Sequence, residues 1–290
     1  MSTTSLMAEP AEKAIPHLLE QYGSQIYGLG LRMCGNPEDA QDLMQDVFLQ
    51  AFRKWEQFEG RSSPSTWLYT IAARVCQRRH RLRAGQPRAL ESLSILLPSG
   101  EEGIVDLPSG GDTPHDVLER NETRDTVQQA ITSLSPKFRL PLILKELMDL
   151  SIGEIAEVLG LKEATVKTRL HRARLYAAKE LSNGLSKKPA PPLNQDRAVC
   201  LDLLQAKQEA MDRGVVFPVA QQELCVRCQS LFATLDLTKE ACRRLGEGEL
   251  PQPVRDAILA EMKRTSGRRR RKRQVQKSVD HPSLLSPSNH

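Results

Sequence analysis

The strongest constraint on the fold is a pair of adjacent segments that both repeat with helical period and show solvent opposite charges. In the first, Ala40, Leu43, Met44, Val47, Phe48 and Ala51 recur at three- and four-residue spacing and form one apolar stripe. The other side carries Glu38, Asp39, Asp42 and Asp46, with no Lys or Arg until Arg53. Like charges at that spacing cost roughly a few tenths of a kcal/mol per pair. Asp39 lies in the first turn, where the helix dipole offsets the cost, but Asp46 lies too far in to benefit. Such a face implies a partner outside the helix. The second segment opens at Ser63 as N-cap with Pro64 at the first helical position. Leu68, Ile71, Ala72, Val75 and Cys76 make its inner face, and Arg74, Arg78, Arg79, His80, Arg81 and Arg83 its outer one, with Trp67 and Tyr69 near its start. A hydroxyl-rich loop at 58–63, with Arg61, Ser62 and Ser63, joins the two. A basic face beside aromatic rings suits single-stranded nucleic acid, with charge for phosphate and rings for unstacked bases. A solvated basic helix on a two-helix core is the plain alternative.

The string Asn36-Pro37-Glu38-Asp39-Ala40-x-Asp42-x-x-Gln45-Asp46-Val47-Phe48, followed by Ser65-Thr66-Trp67-Leu68-Tyr69-x-Ile71-Ala72, resembles the second conserved domain of bacterial sigma-70-type factors, most closely the small extracytoplasmic-function group. The resemblance implies that Asp39, Asp42, Gln45 and Asp46 dock on the clamp of core RNA polymerase. It implies also that Arg61, Ser62, Ser63, Trp67, Arg74, Arg78 and Arg79 take the melted −10 promoter element. Arg74 and Arg78 stand where many members have Asn and Asp, so the resemblance carries phosphate binding further than −10 base preference.

A length of 290 residues, 39% hydrophobic and 4% aromatic, fits two or three small helical units with modest cores. The net charge of +5 is mild but unevenly spread, which points to a polyanionic partner. No apolar run approaches the roughly 20 residues of a membrane span. Residues 1–13 also lack the basic-then-apolar layout of a secretion signal, so the expectation is a cytoplasmic, bacterial chain without a membrane partner. In that compartment the six cysteines are core, metal or redox residues rather than disulfides. Cys34 and Cys76 read as packed small hydrophobes. Ile15, Leu18, Leu19, Tyr22, Ile26, Leu29 and Met33 predict a further amphipathic helix or pair ahead of the acidic one.

From 84 to 113 the period fails at Pro87, Pro98, Pro108 and several glycines, which reads as a flexible linker. A second unit follows over 114–185. Ser135-Pro136 starts a helix, Ser151-x-x-Glu154 is a capping box, and Gly160 ends the short helix that it opens. The spacing of Ala156, Gly160 and Val166 is that of a helix-turn-helix. Val166, Leu170, Ala173 and Ala177 point inward, leaving Lys167, Thr168, Arg169, His171, Arg172 and Arg174 for a major groove and its phosphates. A helical hairpin with an ordinary basic face is the alternative. The run Glu154-Ile155-Ala156 … Leu159-Gly160 … Thr165-Val166-Lys167-x-Arg169-Leu170-x-Arg172-Ala173-Arg174 resembles the fourth sigma domain, which implies reading of duplex −35 DNA. Lys162 replaces the usual Ser or Thr cap there, a loss of about 1 kcal/mol.

After a Pro-rich linker at 186–194, a minimal sigma factor would stop, but this chain continues for a helical, Cys-containing unit at 195–264 and a basic tail at 265–290. Cys200, Cys225 and Cys228 follow Cys-x24-Cys-x2-Cys, and Cys242 comes fourteen residues later. The spacing resembles the zinc-binding anti-sigma domain, whose histidine position is Gln221 here. Three readings stand: Cys242 completes a zinc site, three thiols form a labile site, or the cysteines pack a core without metal. The arginine-rich run at 268–273 reads as a disordered tail with unspecific attraction to DNA, and 282–290 as disordered.

The expected fold is all-α. The two sigma-like units require no cofactor, and zinc is confined to one reading of the extension. No nucleophile–base pair, phosphate loop or acidic metal cluster speaks for an enzyme. The expected function is promoter recognition for RNA polymerase, with an anti-sigma contact either intramolecular or from a separate protein. The alternatives are a stand-alone helix-turn-helix regulator and a metal or redox sensor with DNA-binding output.

Overall fold

A computed structural model describes residues 6–83, 104–105, 121–183, 185, 187–192, 196–245 and 249–280; for 80–83, 121–125 and 269–280 it describes the backbone alone. Of the expected linker 84–113, all but Ile104 and Val105 lies outside these residues, as does the expected disorder at 282–290. The architecture is all-α: α1 Ala11–Cys34, α2 Pro37–Lys54, α3 Pro64–Arg83, α4 Asn121–Ser133, α5 Pro136–Glu146, α6 Ile152–Leu159, α7 Glu163–Asn183, α8 Arg197–Arg213, α9 Val226–Leu245 and α10 Gln252–Asp280. Two short strands, β1 Ile104–Val105 and β2 Lys187–Lys188, pair antiparallel with Ile104 opposite Lys188. They fall in the two segments expected to be linkers, where no period announces them.

Local chemistry explains the helix boundaries. The segment before the acidic helix is one helix, α1, which ends where Gly35 turns left-handed at φ 83. Asn36 caps α2 by accepting from the Asp39 N–H at 2.8 Å, and Ser63 Oγ accepts from the Thr66 N–H at 3.1 Å at the start of α3. The Ser151–Glu154 capping box is closed in both directions, at 3.2 and 2.8 Å. That bonding, first of all to the Ser151 hydroxyl, holds the Glu154 carboxyl below its ordinary range. Gly160 then turns at φ 63 and releases the chain into α7, completing the helix-turn-helix. The α1–α2 crossing is close: a Cβ on Gly30 would lie 3.2 Å from the Ala40 carbonyl oxygen.

Packing departs from beads on a string. One continuous core takes in Ile15, Leu29, Val47 and Leu68 of α1–α3, Ile143, Ile155 and Leu170 of α5–α7, and Leu237, Cys242, Ile258 and Met262 of α9 and α10. The extension thus shares the core of the preceding units, because α9 and α10 carry apolar stripes of their own, such as Val254, Ile258 and Met262 at four-residue spacing. α10 also runs across the boundary expected at 264/265 and continues helical to Asp280. Arg, Lys and Gln are good helix formers, and after Gly267 nothing interrupts the run. Arg139 of α5 clasps the halves together by donating to the carbonyls of Met33 (2.6 Å), Leu134 (2.7 Å) and Thr132. Burial lowers its guanidinium below the ordinary arginine value. Arg32 of α1 likewise donates to Leu245 O of α9 at 2.7 Å and to Gln128 of α4.

Candidate nucleic-acid interface

The acidic and basic faces of α2 and α3 meet each other before they meet anything else. Arg79 donates to Asp46 from Nη2 at 2.9 Å and from Nε at 3.3 Å, and its Nη1 lies 3.9 Å from Asp42. Arg78 stands 3.6 Å from the same Asp46 carboxylate. The outward-facing acidic stripe therefore has a partner within the chain, although Asp42 keeps 67% of its side chain exposed. Asp39 is tied to the Asn36 cap at 2.8 Å, and Gln45 is half-buried. Exposed ion pairs of this kind contribute roughly 0–1 kcal/mol, so they leave the face open to a stronger partner.

At the α2–α3 loop, Trp55, Phe58 and Trp67 pack with ring centroids 5.1–5.8 Å apart. Beside them opens a cavity of about 390 Å³, lined among others by Gln57, Phe58, Arg61, Ser62, Trp67 and Arg74. Arg74 is exposed, and Arg61 is exposed but paired with Glu59 at 2.7 Å. The Ser63 hydroxyl bonds Ser65 and Thr66 and caps α3, and the residue stays exposed. An aromatic wall rimmed by guanidinium groups can stack a planar base and neutralise its phosphate.

On α7, Lys167, Thr168 and Arg172 are exposed and Arg169 is half-buried. Arg174 is not part of that face. Its side chain is 2% exposed, with Nε 2.7 Å from Glu146 Oε1 of α5 and Nη1 2.6 Å from Asp212 Oδ1 of α8. His171 Nε2 lies 3.0 Å from the other Asp212 oxygen. One buried carboxylate from the extension thus holds two of the six residues expected to face DNA. Burial pushes the Asp212 carboxyl up, but the His171 hydrogen bond and the Arg174 charge outweigh it, and the net direction is down. Two signals could have exposed this cluster. Arg174 lies four residues after Leu170 and three before Ala177, on the inner face. Glu146 closes a Leu-rich helix in which a lone carboxylate needs a partner.

In the extension, the Sγ atoms of Cys200, Cys225 and Cys228 all lie within 4.8 Å of one another. Cys242 does not join them. It is fully buried in the larger core beside Ala241 and Leu245, where burial pushes its thiol up. The reason is helical rise: fourteen residues along α9 from Cys228 amount to about 21 Å. The reading in which Cys242 closes the metal site is thereby overturned. Gln221 offers its backbone carbonyl to Gln229 Nε2 at 2.8 Å. Among the described residues no further Cys, His, Asp or Glu completes the set, and no helix is long and apolar enough to cross a membrane.

The family model of sigma-70 region 2 matches residues 18–85, and that of sigma-70 region 4 matches residues 124–176. The ECF RNA polymerase sigma factor SigW of Bacillus subtilis is 33% identical over 173 residues, covering 59% of this chain and 90% of the relative. RNA polymerase sigma factor YlaC of the same organism is 34% identical over 169 residues, covering 58% and 92%. The ECF RNA polymerase sigma-E factor of Escherichia coli is 28% identical over 165 residues, covering 56% and 84%. The two family models leave everything after residue 176 unmatched, including Asp212 and the three clustered thiols.

Proposed function

The chain belongs to the extracytoplasmic-function group of sigma-70 factors, and from that premise we propose that it is a transcription initiation factor whose −35-reading helix is held in reserve by its own C-terminal helices. Asp39, Asp42, Gln45 and Asp46 face core RNA polymerase. Arg61, Ser62, Trp67, Arg74 and Arg78 take the melted −10 strand at the aromatic-walled cavity, with Arg79 joining them once core polymerase draws Asp46 away. Lys167, Thr168, Arg169 and Arg172 read duplex −35 DNA.

The observation that carries the regulatory part is the buried Arg174–Asp212 ion pair, which runs from the recognition helix into the extension. The same Asp212 carboxylate also takes half-buried His171 at 3.0 Å, so the pair ties the recognition helix to α8 and engages a side chain that a DNA phosphate would otherwise bind. A tethered inhibitor acts at an effective concentration near the millimolar range, so modest affinity suffices to hold it there. A stand-alone helix-turn-helix regulator has no use for the region 2 match, and that reading falls away. The sensor reading survives in a narrower form, with the extension as input and the sigma regions as output. Zinc in the extension keeps three of its four expected ligands, Cys200, Cys225 and Cys228, which is one short of a closed structural site.

Truncation after Lys187, with transcription measured in a reconstituted polymerase assay, tests the proposal. Higher activity of the truncated chain is expected; lower activity would make the extension a brace instead of a lock.

A further inference from the structure

We propose that Cys200, Cys225 and Cys228 form an all-sulfur, three-ligand site for a single thiophilic d10 metal ion of the Cu(I) type, and that the ion staples α8 to α9. Such a site is independent of promoter recognition, because it belongs to the free protein and its thiols.

The three thiols come from two places that only the tertiary fold joins. Cys200 lies in the first turn of α8, while Cys225 and Cys228 flank the start of α9, 25 residues on. Their sulfur atoms nevertheless converge to within 4.8 Å. Metal–thiolate bonds of roughly 2.3 Å place the sulfurs of a trigonal site roughly 4 Å apart, so side-chain adjustment closes the set without moving a helix. The Cys228 N–H points at Cys225 Sγ at 3.4 Å, which favours the thiolate that a metal needs. Cys200 and Cys228 are buried, among Leu204, Leu224 and Phe232, and Cys225 is half-exposed and gives the ion a way in.

The donor set also chooses the ion. A structural zinc site takes four ligands, and among the described residues the fourth is missing: Cys242 lies too far along α9, and position 221 holds a glutamine, a poor zinc ligand. Hard oxygen-seeking ions are excluded by ligand type, whereas soft thiolates favour Cu(I) and its relatives. The site lies in a small core that also contains Leu175 and Ala178 of α7. An ion that fixes Cys200 to α9 therefore fixes the helix whose last turn presents Asp212 to Arg174.

The test loads the full chain anaerobically with Cu(I), and in parallel with Zn(II), and measures metal per chain together with sulfur coordination by X-ray absorption. One Cu(I) per chain with three sulfur neighbours is expected, with Zn(II) bound more weakly and completed by a non-protein oxygen. Cys200→Ser and Cys225→Ser should abolish stoichiometric binding, whereas Cys242→Ala should retain it. On the unmutated chain, Cu(I) should protect Cys225 from N-ethylmaleimide and slow amide exchange across α8, which keeps the test informative if a variant fails to fold. Four sulfur neighbours, equal loss of metal in Cys242→Ala, tighter binding of Zn(II) than Cu(I), or no stoichiometric binding of Cu(I) would each overturn the proposal.

Discussion

Replacing Asp212 with Ala should separate the lock from the rest of the extension. Removing one partner of a buried, hydrogen-bonded ion pair costs about 3–5 kcal/mol, because the survivor is left without compensation. Arg174 would retain Glu146 at 2.7 Å, so the lower figure, about 3 kcal/mol, applies here. At 1.4 kcal/mol per decade, the closed arrangement loses on the order of 100-fold in population against any open one. If the recognition helix binds DNA only when open, apparent duplex affinity rises by the same factor, up to the ceiling set by the chain truncated after Lys187. The assay is fluorescence anisotropy against a −35 duplex selected from random sequence with the truncated chain. Thermal denaturation alongside it should show the variant melting several degrees lower. Arg213→Ala, one residue away and exposed, serves as the control and should change neither. Unchanged DNA affinity in Asp212→Ala, with affinity raised by truncation, would show that the extension inhibits by a route that bypasses Arg174. Unchanged affinity in both would refute the lock.

Four further outcomes are expected. Arg169→Ala or Arg172→Ala should weaken duplex binding across sequences and flatten its salt dependence by about one unit for each phosphate no longer neutralised; Arg61→Ala and Arg74→Ala should spare duplex binding and impair promoter opening, read by permanganate reactivity. Asp42→Lys with Asp46→Lys should abolish pull-down of core polymerase and, because Asp46 pairs with Arg79, should also lower thermal stability, whereas Asp42→Lys alone should affect only core binding. Ser151→Ala should cost about 1 kcal/mol in denaturant unfolding by opening the capping box. The Asp212 carboxyl sits below its unfolded value, so its contribution is complete above that value, near pH 3.9, and is lost as pH falls through the lower folded value. The stability gap between the native chain and Asp212→Ala should therefore close in acid, as pH falls below about 3.9.

What the sequence made legible is what neighbouring residues decide between themselves. Asn36, Ser63, the Ser151–Glu154 box and Gly160 each act within four residues, and each does in the structure what its chemistry predicts. The apolar stripes of α2, α3, α6 and α7 also point inward as their period requires. Apart from the tail of α10, whose helix its own residues favour, the failures are long-range. Arg174 finds Asp212 across 38 residues, and Arg79 finds Asp46 across 33. A basic residue on an amphipathic helix looks the same in sequence whether it faces solvent or a buried carboxylate. The cysteine spacing had the opposite defect, since four thiols in series suggest one cluster until the straightness of α9 carries Cys242 away.

If the extension restrains the sigma regions, its placement decides which of the two surfaces it holds. α10 packs its Val254, Ile258 and Met262 into the main core, and its Arg255 pairs with Glu20 of α1. Its packing around Phe52 and Pro16 leaves Asp42 two-thirds exposed. The acidic stripe of α2 is thus braced from behind, and in front Asp42 stays mostly exposed while Asp46 meets Arg79. α8 and α9, in contrast, engage α7 directly: Asp212 takes Arg174 and His171, and Cys200, Cys228 and Phe232 share a core with Leu175 and Ala178. A restraint so distributed predicts an order of events, in which core polymerase binds first to an exposed surface. The −35 helix then comes free only when α8 lets go. In kinetic terms the extension should leave the rate of core association nearly unchanged and slow the step at which the holoenzyme recognises duplex DNA. An intramolecular ion pair at 2–3% exposure has to open before α8 can leave α7. Stopped-flow association of labelled full-length and truncated chains with core, each followed by addition of duplex, distinguishes this order from general occlusion. Slowing of the first step would place the restraint on α2, against the exposure of Asp42.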